Sequence, residues 1–227
     1  MVRVTVRAFF ALFFLVCVVS VGAQSIRGGA VLGGNASYDI SDELDEILDE
    51  FNDISGLSAG RTTNFGFSVG PIIMIDFTPG FGLQIPLTTT QRTTGYEVTD
   101  DGSSDRITFE FTTLAVDFSV LAKPIFPISP DFSFHVLAGP QLSFIIGDLE
   151  GKFTERIGGV SQSETVLVEL DNSVIFGVSA GAGFGYQTGI GILAFDFMYY
   201  RSLQSAFDIA DDFVQSFGVS ANFTAPF

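Results

Sequence analysis

The chain has 227 residues, a length that suits one domain preceded by a removable leader, since a domain has about 150 residues. Its 26 acidic and 10 basic residues give a formal charge of −16, which excludes a nucleic-acid binder, and its 47% hydrophobic content excludes a disordered chain. The 25 glycines and 26 phenylalanines disfavour a helical bundle and favour strands.

The chain begins with a basic and then apolar segment. Arg3 and Arg7 precede an apolar run that ends in small residues, an order typical of a secretory signal peptide. The run is shorter than the roughly 18 residues of a spanning helix, although an uncleaved membrane anchor remains an alternative. Cys17, the one cysteine, lies in this segment, so a disulfide framework is excluded. We predict a signal peptide at 1–23 and a mature domain at 24–227.

Alternation of apolar with small or polar residues is the strongest pattern in the mature chain. It predicts strands because successive side chains of a strand point to opposite faces. The eight predicted strands are 25–38, 63–78, 80–98, 106–123, 132–146, 173–186, 190–201 and 216–227. The fourth changes phase near Thr113 and Leu114, which indicates either a bulge or the point where the strand leaves a membrane.

The connections between these strands alternate in length. Short turns rich in Pro and Gly are predicted at 78–80, 127–131 and 187–189. Longer polar connections are predicted at 39–62, 99–105, 147–172 and 202–212. This order predicts an all-β fold, an eight-stranded antiparallel up-and-down barrel with both termini and all short turns at one end. In an outer-membrane barrel that end lies in the periplasm.

The alternation alone does not decide which face points outward. An eight-stranded barrel has room only for its inward side chains or for one small ligand. Inward Phe, Ile, Leu and Val would overfill that space, whereas the Gly, Ser and Thr of the other face fit it. We therefore expect the apolar faces to contact membrane lipid. A soluble barrel of the lipocalin type is the alternative.

The first long connection combines acidic charge with helical spacing. Ser41 can cap a helix and Gly56 lies beyond its end, so a short amphipathic helix is predicted within about 39–60. It is either a docking surface for cations or a basic partner, or a solvated acidic face whose apolar residues pack on the barrel mouth. The acidic residues are Asp39, Asp42, Glu43, Asp45, Glu46, Asp49, Glu50 and Asp53, and the apolar ones are Leu44, Ile47, Leu48, Phe51 and Ile54.

The segments FGLQIPL (81–87), VLAGPQL (136–142) and GVSAGAGFG (177–185) resemble small outer-membrane β-barrels of the PorT-like and OmpA-like or OmpX-like groups of Gram-negative bacteria. Members of these groups end in an alternating strand closed by an aromatic residue, which the barrel-assembly machinery recognises. The residues that match this assembly signal are Val219, Ala221, Phe223, Ala225 and Phe227. The resemblance implies an integral outer-membrane location and carries over no catalytic residues.

Several charged and amide residues fall on the predicted inward faces. They are Arg27, Asp76, Gln84, Asp117, Lys123, His135, Gln141 and Asp196. Buried charges must pair, so Arg27 and Asp76 are expected to pair at one mouth, and Lys123 to find an anionic partner on a neighbouring strand. A structural network that fills the lumen is favoured over an ion or proton pathway. His135, the one histidine, is interpreted as a hydrogen-bonding group of the lumen rather than a catalytic base.

These observations indicate no catalytic residue, cofactor or metal site. We expect a non-enzymatic outer-membrane barrel with a structural or surface-interaction role through its long outer loops. A narrow passive channel is the alternative, followed by a secreted lipocalin-like ligand-binding barrel. The expected partners are outer-membrane lipid and the barrel-assembly machinery, with no nucleic acid, and the sequence indicates no particular extracellular partner.

Overall fold

A computed structural model of the protein describes residues 24–40, 42–54, 56–168, 173–203 and 213–226. The predicted signal peptide at 1–23 lies outside the described residues and stays a prediction. Phe227 and residues 204–212 of the predicted connection also lie outside them.

The described ranges contain eleven strands and one helix. They are β1 (Ser25–Ile40), α1 (Asp42–Asn52), β2 (Leu57–Thr62), β3 (Asn64–Thr78), β4 (Phe81–Asp100), β5 (Arg106–Ser119), β6 (Leu121–Pro127), β7 (Phe132–Ile157), β8 (Val160–Val168), β9 (Val174–Gln187), β10 (Ile192–Ser202) and β11 (Phe213–Pro226). Among the described residues, no helix combines the length and apolar character needed to cross a membrane.

The strands close into an antiparallel ring. Its order is β1–β3–β4–β5–β7–β9–β10–β11, and β11 pairs with β1 to complete it. After Val120, β6 continues β5 and keeps the pairing with β4 and β7. The predicted eight-stranded up-and-down barrel is therefore confirmed.

The two ends of the barrel differ. Short turns join β3 to β4, β6 to β7 and β9 to β10 at the end where β1 begins and β11 finishes, which we call the turn end. At the opposite loop end, α1 and β2 lie between β1 and β3. Asn52 holds α1 against β2 by two hydrogen bonds with the backbone of Ala59, of 2.7 and 3.1 Å. Phe51 and Ile54 are exposed.

The connection predicted at 147–172 is largely a hairpin. β7 continues to Ile157, turns at Gly158 and Gly159 with φ of 57° and 83°, and returns as β8. Two positive φ values suit the tight turn of a two-residue hairpin. The prediction of a loop was wrong because β7 carries extra residues around Gly147, opposite Thr113 of β5, and these interrupt the alternation. Likewise β4 reaches Asp100, so the connection predicted at 99–105 is shorter than expected.

Beyond the barrel, five strand segments form one continuous sheet at the loop end, which we call the extension sheet. Its order is β2, the outer part of β4, the outer part of β5, the outer part of β7, and β8. Its residues are 57–62, 95–100, 106–112, 149–157 and 160–168.

The phase change predicted near Thr113 and Leu114 coincides with the register irregularity between β5 and β7. The pairing of β5 with β4 runs through this point without a shift. The apolar residues of β5 change sides here: Val116 and Phe118 face outward, whereas Phe109 lies on the opposite face, 5.1 Å from the ring of Phe153. The face of β5 that carries the apolar residues therefore changes where the strand passes from the barrel wall into the extension sheet.

The outward and inward faces of the barrel differ in composition. Large apolar residues on the outward face are exposed, Leu32 by 64% and Phe65 by 80%. The lumen is less uniformly small and polar than the alternation indicates, because apolar side chains are buried in it as well. These include Val31, Ile72, Met74, Leu121 and Leu137. An apolar belt outside and an interior that holds charged and amide side chains exclude the soluble lipocalin-type alternative.

We expect Ala180→Arg to impair insertion and to lower the free energy of unfolding by about 2 to 4 kcal/mol, because Ala180 faces outward at the middle of β9. Val166→Arg is the matched control, since Val166 is exposed on β8 in the extension sheet. Urea unfolding in lipid and heat-dependent gel mobility measure both effects. Equal tolerance of the two arginines would contradict the assignment of the lipid-facing surface.

Candidate functional site in the barrel lumen

The barrel lumen holds the polar residues that the sequence places on inward faces. At the turn-end mouth, the side chains of Arg27 and Asp76 are 12% and 16% exposed. The other six predicted residues are buried deeper: Gln84, Asp117, Lys123, His135, Gln141 and Asp196. They form successive levels between the turn end and the loop end.

The first level is an ion pair at the turn-end mouth. The guanidinium of Arg27 donates to both carboxylate oxygens of Asp76, with two hydrogen bonds of 3.0 Å. Ser25 Oγ donates to the same carboxylate at 2.8 Å. The antiparallel register of β1 and β3 sets Ser25 opposite Asp76, with Arg27 two residues further along the same face. Two-point contact makes this the stronger type of charge pairing.

The second level is centred on Asp196, which is fully buried. His135 Nε2 lies 2.6 Å from Asp196 Oδ1, while Gln84 Nε2 and Asn222 Nδ2 donate to Oδ2 at 2.9 and 2.6 Å. Lys123 Nζ donates to the side-chain amide oxygen of Gln84, Oε1, at 2.8 Å. These five residues, which we call the Asp196 cluster, come from five different strands. They connect opposite walls of the barrel.

A glycine permits the contact between His135 and Asp196. His135 lies on β7 and Asp196 on β10, and Gly183 of the intervening strand β9 is in register with both. A Cβ at this position would overlap Asp196 Oδ1 and the Phe195 carbonyl oxygen, and would come within 2.7 Å of His135 Nε2. The missing side chain therefore lets the imidazole and carboxylate meet across a strand.

Two further levels lie toward the loop end. Gln141 Oε1 accepts hydrogen bonds from Ser179 Oγ at 2.6 Å and Ser119 Oγ at 3.1 Å. Beyond it, Arg92 Nη2 lies 2.6 Å from Asp117 Oδ2. The guanidinium carbon of Arg92 lies 5.0 Å from the ring centroid of Tyr200, within the range of a cation–π interaction.

The charged side chains of the lumen balance in formal charge. Three basic and three acidic side chains occupy it among the described residues: Arg27, Arg92, Lys123, Asp76, Asp117 and Asp196.

Two cavities divide the space of the lumen. A cavity of about 650 Å³ extends inward from the turn end, and a second cavity of about 120 Å³ lies nearer the loop end. Gln84 and Asn222 line both cavities, so these two side chains, which both donate to Asp196, lie at the boundary.

The structure agrees with some of the expected pairings and corrects one. Arg27 and Asp76 form the expected pair. Lys123 was expected to pair with an anionic group on a neighbouring strand. Its partner is instead the neutral amide of Gln84, because that amide lies between the ammonium group and Asp196. Asp117 pairs with Arg92, which the sequence reasoning missed.

The missed residues carried a usable signal. Arg92 lies eight positions from Gln84 on β4, so both fall on the same face of an alternating strand. Tyr200 lies four positions from Asp196 on β10, so these two residues also share a face. Asn222 lies on the small and polar face of β11. Taking every inward position of the predicted strands would have found all three residues.

The His135–Asp196 pair resembles half of a hydrolytic triad, but its surroundings differ. A triad needs a nucleophile hydrogen-bonded to the imidazole. Among the described residues, no hydroxyl group is hydrogen-bonded to His135, and no group of three or more His, Cys, Asp or Glu side chains could hold a metal. The described arrangement can crosslink strands and orient a ligand.

The fold and the lumen define a class of protein. A closed antiparallel ring with an apolar exterior and a polar, charge-balanced interior is an integral membrane β-barrel. Residues 22–208 match the family described as outer membrane protein beta-barrel domain, so the chain belongs to that family. The protein is an integral outer-membrane β-barrel of the Gram-negative type, and its turn end corresponds to the periplasmic side.

The chain is similar to several solved structures at low sequence identity. Neisserial surface protein A is 14% identical, with 90% of this chain and 99% of that chain covered and a TM-score of 0.45. Ail, the attachment invasion locus protein of Yersinia pestis, is 16% identical over 88% and 99%, with a TM-score of 0.38. The outer membrane protease OmpT from Escherichia coli is 11% identical over 90% and 97%, with a TM-score of 0.41. Comparison with curated proteins finds no significant match.

Gly183→Ala is expected to destabilise the barrel by about 2 to 3 kcal/mol, because the new methyl group displaces the His135–Asp196 contact. Gly60→Ala on β2 is the matched control, since a Cβ there meets nothing within 4 Å and its effect should stay within about 0.5 kcal/mol. Urea unfolding followed by circular dichroism compares them. Similar midpoints for both variants would show that the contact contributes little.

The Arg27–Asp76 pair can be tested by a double-mutant cycle. Asp76→Ala should cost about 1 to 3 kcal/mol, because the guanidinium at the mouth loses its carboxylate. Arg27→Ala in the same chain should recover part of that loss, which gives a measurable coupling energy in urea unfolding. Strictly additive effects would contradict the pairing.

Proposed function

We propose that this outer-membrane barrel is non-enzymatic and has a surface-interaction role, in which the extension sheet binds an extended polypeptide segment by adding it as a strand to β8. The observation that carries the proposal is the edge position of β8. Among the described residues, β8 pairs with β7 alone, and residues 161–167 are all exposed.

The sequence of β8 lacks the features that usually protect a sheet edge. Natural edge strands are blunted by lysine, proline, bulges or short length. β8 is nine residues long, VSQSETVLV, with no lysine or proline and with Glu164 as its one charged residue. Its Val166 and Leu167 are exposed by 52% and 67%. A long, apolar and weakly charged edge favours pairing with another strand.

The charge of the loop end indicates the chemistry of such a partner. The described segments 42–54, 56–62, 97–112 and 148–168 contain 16 acidic and four basic residues. A basic segment is attracted to this surface during encounter, and attraction between opposite charges speeds association. We therefore propose a basic, extended segment of another protein as the partner.

The other candidate function is a narrow passive channel. The cavity of about 650 Å³ at the periplasmic end favours it, because polar residues line the space. The Asp196 cluster and the Arg92–Asp117 pair oppose it, because each lies across the path that an ion would take. Stable conductance steps in planar bilayers would support the channel, and their absence would support a lumen that is closed at the Asp196 cluster.

For insertion, we propose that the outward row of β11 acts as the signal to the barrel-assembly machinery. Val219 and Phe223 are exposed on that row, and Ala221 and Ala225 share it, whereas Phe227 lies outside the described residues.

Strand addition can be tested with Thr165→Pro. A two-residue hairpin closes on a hydrogen-bonded pair, so the amide of Thr165 points away from β7 and toward an added strand. Proline removes that donor without removing a hairpin hydrogen bond. The probe is a fluorescent eight-residue peptide that alternates lysine with valine, and its binding is measured by anisotropy. Its affinity should weaken at least about tenfold, because one backbone hydrogen bond is lost and the strand is distorted locally.

Thr165→Val is the matched control, because it keeps the amide donor and a β-branched side chain. It should bind the peptide like the unchanged protein. Binding that is equal in all three proteins would contradict strand addition, and a peptide with glutamate in place of lysine should bind more weakly if charge selects the partner.

A further inference from the structure

The cavity at the periplasmic end has the character of a binding site as well as of packing space. It measures about 650 Å³ and reaches from the turns of the barrel to the Asp196 cluster. We call it the periplasmic cup. Its lining includes Arg27, Ile72, Asp76, Gln84, Lys123 and His135. The side chains at its inner end are hydrogen-bonded to one another, so the cup is a blind cavity with a polar floor.

Lys123 differs from the other basic residues of the lumen. Arg27 and Arg92 each contact a carboxylate, at 2.8 and 2.6 Å. Lys123 is as deeply buried, with 6% exposure, yet its hydrogen-bond partner among the described residues is the neutral Gln84. An ammonium group has three N–H donors, and this contact uses one of them. Lys123 lines the periplasmic cup and not the smaller cavity, so a ligand in the cup lies beside this residue.

The acidic groups nearest Lys123, Asp76 in the cup wall and Asp196 behind the cup floor, already have partners. Asp76 accepts from Arg27 through both oxygens and from Ser25. Asp196 contacts His135 through one oxygen and accepts from Gln84 and Asn222 through the other. Neither carboxylate makes a direct contact with Lys123 within salt-bridge distance. A buried cation without a directly bound anion favours an anion from outside.

We propose that the periplasmic cup binds a small carboxylate whose charged group lies on Lys123 Nζ. The chemical class follows from the charges and walls of the cup. The charged side chains that line it are Arg27, Lys123 and Asp76, a formal charge of +1, so a monovalent anion balances them, whereas a divalent phosphate leaves one excess negative charge. The nearby side chains of Ile72, Met74 and Ile125 also line the cup and offer an apolar surface to a short carbon chain.

The probe for this site is 4,4,4-trifluorobutyrate, a water-soluble carboxylate observed by fluorine NMR. The full protein, refolded in lipid nanodiscs, should broaden the probe signal in a saturable way. Lys123→Met keeps the length of the side chain and removes its charge, and it should weaken binding at least about tenfold, the factor expected for loss of one charge-assisted hydrogen bond. Lys123→Arg should retain binding.

The matched control is Lys152→Met, which removes an exposed lysine of the extension sheet and should leave the affinity unchanged. The uncharged 4,4,4-trifluorobutanol should bind at least tenfold more weakly than the acid. Equal binding of acid and alcohol to the unchanged protein would overturn the proposal without any variant, as would the lack of saturable binding. Equal binding by a folded Lys123→Met protein would also overturn it. Tighter binding of inorganic phosphate than of the carboxylate would overturn the assigned ligand class.

Discussion

The interior of this barrel depends on the hydrogen bonds that the buried carboxylate of Asp196 makes with three strands. Asp196 is fully buried, so its charge needs hydrogen-bond donors from the walls of the barrel in place of bulk water. Gln84 of β4, His135 of β7 and Asn222 of β11 contact this carboxylate. Gly183 of β9 leaves the space through which His135 reaches it. The same bonds tie distant strands together, so satisfying one charge also braces the cross-section of the barrel.

This constraint separates the charges of the chain. Inside the barrel, acidic and basic residues are equal in number among the described residues, because an excess of either sign would be costly in a low-dielectric space. Outside the membrane there is no such restriction. The acidic excess therefore lies at the loop end, where the described segments hold four acids for each base. The net charge of the sequence is thus a property of the outer surface, and the barrel itself is nearly neutral.

The alternation predicted the ring, the strand positions and the inward residues because one rule, that neighbouring side chains face opposite sides, governs every strand of a barrel. It failed where that rule has an exception. Residues added to β7 near Gly147 and the change of the apolar side in β5 hid the extension sheet, since both reverse the pattern on which the prediction rests. The partner of Lys123 was not predictable for a different reason: it depends on how strands across the lumen are staggered, which no local pattern records.

The two proposed binding regions depend on different features of the same architecture. The edge of β8 is open because β7 and β8 extend beyond the ring, where barrel closure no longer pairs every strand. The cup is open because the hydrogen-bonded floor around Asp196 lies above the turn end and leaves the space beneath it unfilled. The floor also lies between the two regions. A ligand in the cup contacts side chains of the lumen, whereas a strand added to β8 contacts backbone of the extension sheet, so neither proposal depends on the other.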